Sequence, residues 1–299
     1  MRFTVAICTW NRASLLSEVL QRLTRIRDPN GAWEVVVVNN DSTDDTESVL
    51  SAFVGRLPIR RAFEPRPGLS HARNTAVRNA LGDYLVWTDD DALVDADWLA
   101  AYGRAVERHP EAAVFGGPVR PRFEGTTPPR WLSAGWQDIS AAFAARDLGD
   151  EPFEFGGGGE LPYGANFVIR AREQRMFPYD PSLGRRRGGG ALGEETAVMR
   201  GILEAGGTGW WVPDASVEHW IPKERQSVRY LRSYYTLQGR TFHRWGGGGG
   251  PTFWGRPLRL WRSIIRAELA YSRARLSGDP HRWIKPLIQA SILRGTTRQ

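Results

Sequence analysis

The sequence predicts an α/β fold in which a mostly parallel sheet is flanked by helices, with a helical extension at the C-terminus. Three observations lead there. Short apolar runs of strand length alternate with segments of helical period through the first 117 residues. Several runs are continuously apolar, as strands covered on both faces must be. The first, second and fourth runs then stop at clusters of polar residues, where open sheets of this class bind ligands.

Phe3–Cys8 reads as the first strand. Over Ala13–Ile26, Leu15, Leu16, Val19, Leu20 and Leu23 recur at helical spacing. Glu34–Val38 is a β-branched run and reads as a buried strand. Thr43–Val54 follows as a helix with Asp44 and Asp45 in its first turn, where the helix dipole favours acids. Ile59–Phe63 is a short strand, and the Pro65–Gly68 turn leads into a helix over Leu69–Leu81. Tyr84–Thr88 and Ala112–Phe115 are the fourth and fifth strands, with a helix near Asp95–Arg108 between them. Strands alternating with helices imply a parallel sheet covered on both faces.

From about Pro118 the pattern changes. Pro121–Trp136 is rich in Pro, Arg and Trp, and Gly156–Gly159, Gly188–Gly190 and Gly246–Gly250 read as flexible loops. None carries the Lys and Ser/Thr of a phosphate-cradling loop. After Pro222 the chain reads as helical, over Val228–Trp245 and Leu258–Leu276. On the latter, Leu258, Trp261, Ile265 and Leu269 lie at helical spacing, with Arg259, Arg262, Arg266 and Arg273 supplying charge. That pattern fits a helix packed on a core with a solvated face, or an interfacial helix on anionic lipid.

Composition narrows the class. The 299 residues are 41% hydrophobic and 24% charged, as in a folded globular protein. The net charge of +7 comes almost wholly from arginine and suits anionic partners such as nucleotides, nucleic acid or lipid head groups. The single Cys8, inside an apolar run, is expected to be a buried, inert thiol, and no zinc-ligand spacing is present. No run approaches ~18 apolar residues, so no transmembrane helix is predicted. The chain enters its first strand without a signal-peptide pattern, so a cytoplasmic location is expected, with peripheral contact at the inner face of the plasma membrane as an extension of it.

The polar strand ends are Thr9-Trp10-Asn11-Arg12, Asn39-Asn40-Asp41-Ser42 and Asp89-Asp90-Asp91, and all are expected on one rim. Three adjacent carboxylates repel one another, and a hard divalent cation, Mn2+ or Mg2+, relieves that cost while gripping phosphate oxygens. The competing reading is a solvated turn with Asp91 capping a helix.

Together these motifs resemble family 2 of the glycosyltransferases, with a GT-A-type, Rossmann-like sheet. Val5–Arg12 resembles the family's first strand and its Thr-x-Asn-Arg turn, Val35–Thr46 its second-strand motif, and Gly68–Asn74 a helix motif near the nucleotide phosphates. Asp89-Asp90-Asp91 matches its Asp-x-Asp signature. The resemblance implies that Thr9, Trp10, Asn11, Arg12, Asn40, Asp41, Arg73, Asp89 and Asp90 contact a nucleotide sugar. It places Asp91 as the most direct metal ligand, beside Asp89. Tyr163, Gly164 and Asn166 resemble an acceptor-side segment. Gly193-Glu194-Glu195-Thr196 resembles the motif whose second acid is the general base, giving Glu195 that role with Glu194 beside it. His219 resembles a late residue near the diphosphate, and a metal role stands level with a plain core histidine. For Arg73 a phosphate contact is expected, with a surface salt bridge as the alternative. Asn39 or Asn40 stands where the family usually has an acid, and Glu where the base is usually Asp.

The implied reaction is inverting transfer from a nucleoside-diphosphate sugar to a hydroxyl of a glycan, a lipid-linked glycan or a small molecule. A UDP-sugar is the favoured donor over GDP- or dTDP-sugars, and nucleic acid is not expected as a partner. The implied division is a nucleotide-sugar half over 1–117, an acceptor half over 118–225 and a basic helical region over 226–299. Two other classes compete. A sugar nucleotidyltransferase would open with a glycine-rich loop, where this chain has Thr9-Trp10-Asn11-Arg12. A non-catalytic basic binder of membrane or nucleic acid would need neither the aspartates nor Glu195. Trp131, Trp136 and Tyr163 fit sugar stacking or a core equally.

Overall fold

The computed structural model describes residues 2–29, 31–125, 127–156, 161–186, 189–245, 252–254 and 256–298. In chain order the first elements are β1 (Arg2–Thr9), α1 (Ala13–Leu23), β2 (Ala32–Asn39), α2 (Thr46–Ala52), β3 (Ile59–Phe63), α3 (Leu69–Asn79) and β4 (Tyr84–Thr88). Next come β5 (Ala92–Val94), α4 (Trp98–Arg108), β6 (Val114–Gly116), β7 (Val119–Phe123), α5 (Arg130–Ala134), α6 (Trp136–Ile139), β8 (Glu154–Phe155), β9 (Asn166–Arg170) and α7 (Ala171–Met176). The short pair β10 (Arg185–Arg186) and β11 (Gly189–Gly190) precedes α8 (Glu194–Glu204), β12 (Gly209–Trp211) and β13 (Val217–Ile221). Three long helices follow: α9 (Val228–Phe242), α10 (Leu258–Leu276) and α11 (Pro280–Gly295). The glycine runs fall mostly outside the described residues; Gly189–Gly190 is an exception and pairs antiparallel with Arg185–Arg186.

The chain forms two compact units, Met1–Arg122 with Ala144–Trp220, and Phe123–Phe143 with Ile221–Gln299. The first holds an eight-stranded sheet of order β3-β2-β1-β4-β9-β6-β12-β8. β3, β2, β1 and β4 run parallel, and Thr9 pairs with Asn39, so the polar ends of β1 and β2 are level. Along β1, Phe3, Val5 and Ile7 enter one apolar core and Ala6 enters another, which is why the run shows no polar alternation. On α1, Leu16, Val19, Leu20 and Leu23 are buried at helical spacing, as the sequence predicts.

β9 lies between β4 and β6, antiparallel to both, so the mostly parallel sheet carries an antiparallel strand at its centre. Asp91 does not cap a helix: it leads into β5, and α4 starts only at Trp98. β5 pairs with β13 in a second small sheet, order β5-β13-β7, which sets Ala92 opposite His219. Burial pushes the Cys8 thiol up to about 12, so it stays protonated and inert at neutral pH.

The second unit packs α5, α6, α9 and α11 around Leu132, Ile139, Phe143, Leu231, Trp283 and Leu287. Trp131 and Trp136 belong here as core rings, 5.8 Å from Trp283 and 5.7 Å from Phe143, rather than as open sugar platforms. α9 and α11 approach so closely that a β-carbon at Gly239 would strike the Ile292 carbonyl and one at Gly295 the Thr236 carbonyl. On α10 the buried residues are Leu260, Ile264 and Ala267, while Leu258, Ile265 and Leu269 face outward. α10 is thus packed on a core with a solvated, arginine-bearing face, but it packs through Leu260, Ile264 and Ala267 rather than through that apolar stripe. Among the described residues no helix is long and apolar enough to cross a membrane.

Candidate active site

The rim forms where parallel strands end. The turn after β1 and the turn after β2 each reverse through a non-glycine residue of positive φ, Asn11 at 52° and Asp41 at 61°, a conformation that Asn and Asp tolerate best. They are tied together: the Asn11 N–H donates to Ser42 Oγ at 3.0 Å, and Asn11 Oδ1 accepts the Thr43 N–H at 2.7 Å. This delivers Arg12 to the end of β4, where its Nη1 lies 2.7 Å from both Asp90 Oδ1 and Asp91 Oδ2. Repulsion within the aspartate triplet is thus relieved in part by an arginine of the chain. Burial still holds Asp90 up at about 6 against the pull of Arg12. Trp10 is exposed beside this turn, and Asp41 is half-exposed.

Asp91 makes a second contact. Its Oδ1 lies 3.3 Å from His219 Nε2, and both side chains are buried. The sequence left His219 between core and metal roles; β13 sets it against Asp91. A carboxylate and an imidazole placed side by side would suit a divalent ion that accepts both oxygen and nitrogen ligands, such as Mn2+. Among the described residues no three His, Cys, Asp or Glu side chains are grouped as a metal site. The remaining positions would fall to phosphate oxygens and water, the usual arrangement for this kind of ion.

Arg73, from α3, departs most from expectation. It is neither exposed toward a phosphate nor in a surface ion pair: its side chain is 3% exposed. Its Nη1 lies 3.1 Å from Glu194 Oε1 and 3.7 Å from Glu195 Oε2, and its Nη2 lies 3.8 Å from Asp89 Oδ1. The rings of Trp87, Phe167 and Tyr179 surround its guanidinium at 5.3–5.8 Å. Burial opposes its charge, but Glu194, Tyr179, Glu195 and Asp89 outweigh that and raise its pKa further. One buried arginine therefore joins the aspartate triplet to the glutamate pair.

The glutamates open α8, which follows Gly193 at φ 88°, so both sit in the first turn, where the helix dipole favours acids. Glu194 is buried, and burial and then Glu195 raise its pKa to about 8, against the opposing pull of Arg73. Glu195 is the more exposed of the two. It borders Gly164, where a β-carbon would come within 3.2 Å of Glu195 Oε1 and 3.0 Å of Arg73 Nη2. The Gly164 carbonyl also accepts from Arg73 Nη2 at 3.4 Å. Tyr163 is half-buried, with Arg146 over its ring at 5.0 Å.

Two predicted contact residues are structural instead. Asn166 is fully buried: its Oδ1 accepts from Trp98 Nε1 and Tyr102 Oη, each at 2.7 Å, and its Nδ2 donates to the Pro118 and Ala215 carbonyls. That uses its full bonding capacity and leaves nothing for an acceptor. Asn40 donates to the Glu64 and Arg66 carbonyls and accepts the Gly68 N–H, so it pins the loop before α3. Thr9 is buried at the end of β1. The bridging role of Arg73 had no sequence signal, because Glu194 lies 121 residues away.

Comparison with known proteins gives the family. The family model for glycosyl transferase family 2 matches residues 4–158. Succinoglycan biosynthesis protein ExoM of Rhizobium meliloti is 29% identical over 247 residues, covering 82% of this chain and 75% of ExoM. The uncharacterized glycosyltransferase YfnE of Bacillus subtilis is 34% identical over 118 residues, 39% of this chain and 30% of its own. Among solved structures, Staphylococcus aureus TarS 1–349 in complex with UDP-GlcNAc superposes with a TM-score of 0.55 at 17% identity, covering 80% of this chain and 66% of that one. The mannosyltransferase PcManGT of Pyrobaculum calidifontis, in complex with GDP-Man and Mn2+, gives 0.58 at 20% identity, covering 98% and 85%. The structural likenesses concern the fold; the family model covers more than half of the sequence, and this chain belongs to glycosyl transferase family 2.

Proposed function

We propose that this enzyme transfers a sugar from a nucleoside-diphosphate donor to a hydroxyl acceptor with inversion, Glu195 serving as the general base. The observation that carries the reading is Arg73, which spans Glu195 and Asp89 at 3.7 and 3.8 Å. The two ends of a transfer reaction, proton removal from the acceptor and departure of the diphosphate, are thereby held by one rigid, buried group. Glu195, beside Gly164, takes the proton of the attacking hydroxyl. Glu194 is the poorer candidate, because it is buried and holds its own proton near neutrality. Asp91 and His219 would hold a divalent ion, which when bound supplies positive charge to the leaving diphosphate. Arg12 fixes the Asp91 carboxylate from its other oxygen, so Oδ1 faces His219. With Glu194 protonated, the carboxylates of Asp89, Asp90, Asp91 and Glu195 still outnumber the guanidiniums of Arg12 and Arg73, which favours a dication. UDP-sugars are the favoured donors, and a growing polysaccharide or lipid-linked glycan is the acceptor that fits a relative in succinoglycan biosynthesis.

Calorimetry of UDP, GDP and dTDP, each with and without Mn2+, tests this. UDP is expected to bind best, and Mn2+ to strengthen it. Asp91→Asn should reduce the Mn2+-dependent part at least about tenfold, the usual weight of a lost ligand or its support. Equal affinity with and without the ion would remove the metal from the mechanism.

A further inference from the structure

The positive charge of the chain is not spread over it. Of its 40 basic and 33 acidic residues, 14 basic and two acidic lie in 228–299, leaving 26 basic and 31 acidic before that segment. The catalytic part is therefore net negative and the C-terminal helices strongly positive. Both acids of those helices are engaged: Glu268 with Arg232 at 2.7 Å and with Arg294, and Asp279 in capping α11 through the His281 N–H.

α10 has two apolar faces. Leu260, Ile264 and Ala267 are buried. Leu258, Ile265, Leu269 and Leu276 are 39–88% exposed. At 100° per residue these four fall within about 40° of one another and span about 27 Å of helix. Arg262, Arg273 and Arg266 border the line on one side. Just before the helix, Trp254 is 84% exposed and stacks on Phe253 at 5.6 Å.

We propose that this outer face of α10 docks on the surface of an anionic phospholipid bilayer. The aliphatic line would enter the boundary between head groups and acyl chains, the arginines would reach lipid phosphates, and Trp254 suits the interfacial layer. Charge argues against the other occupants. A second copy meeting it through this same face would set arginine rows against arginine rows, and nucleic acid would satisfy the arginines while leaving the aliphatic line in water.

Co-sedimentation of the full chain with phosphatidylcholine vesicles, with and without about 30 mol% phosphatidylglycerol, reads the effect. Binding is expected only with the anionic lipid, and to weaken between about 50 and 500 mM salt. Ile265→Ser with Leu269→Ser, and separately Arg262→Gln, Arg266→Gln and Arg273→Gln together, should each lower partitioning more than about tenfold, since each arginine near such a surface is worth about fivefold. All these residues are exposed, and circular dichroism should show unchanged melting. Failure of the wild type to pellet, or wild-type pelleting by both variants, overturns the proposal. So does a wild-type dimer in sedimentation velocity that the serine variant dissociates, or duplex DNA binding that only the glutamine variant loses while vesicles stay unbound.

Discussion

Arg73 holds two adjacent glutamates differently. It holds Glu194 at 3.1 Å in a buried place, while Glu195 lies farther off and more exposed. Glu195→Gln is expected to leave nucleotide affinity unchanged and to lower transfer by ~10²–10⁴, the usual worth of general-base help. A full loss in Glu194→Gln with an active Glu195→Gln would reverse the assignment. Glu194 also makes a prediction about stability. Its carboxyl rises from 4.5 to about 8 on folding, so the folded state takes up a proton between those values. That contribution is complete below the unfolded-state value and is lost as pH rises through the folded one. Glu194→Gln cannot ionise, so relative to wild type it should melt higher at about pH 9 than at about pH 5, by roughly 2–4 °C for each kcal/mol released. Parallel melting curves across that range would show that Glu194 is not held protonated. None of this could be read from Glu194-Glu195 as letters. Adjacency in sequence says nothing about which side chain turns inward.

At the scale of elements, β9 shows how one strand reorganises a site. Its first residue, Asn166, ties α4 to the turns at Pro118 and Ala215 through four buried hydrogen bonds. Asn166→Ala would strand two carbonyls, an indole N–H and a phenol, and leaving even part of that set unsatisfied should cost roughly 3–5 kcal/mol in urea unfolding. A variant of normal stability but raised acceptor KM would restore Asn166 to acceptor binding. The strands Ile59–Phe63 and Tyr84–Thr88 were legible to the residue, because short apolar runs bounded by turn residues have few other uses. The position of β9 was not, since pairing between distant strands leaves no periodic trace. Likewise α10 was legible as a helix, but periodicity alone did not say which of its two apolar faces meets the core.

At the scale of the whole molecule, the chain joins a catalytic unit of excess acid to a helical unit of excess arginine. The segment Phe123–Phe143, which the sequence reading kept with the acceptor half, packs with the C-terminal helices, because its Leu132, Ile139 and Phe143 find Trp283 and Leu287 there. By itself the sequence determined the alternation of strands and helices, the polar rim at the strand ends and the family, since these rest on local periodicity and on short contiguous motifs. The tertiary structure alone decided that Arg12 relieves the aspartate triplet, that Arg73 couples Asp89 to Glu195, and that Asn40 and Asn166 are ties rather than ligand contacts. The reason is physical: a side chain's role depends on what the fold buries beside it, and these partners come from strands and helices that only the packed sheet brings together.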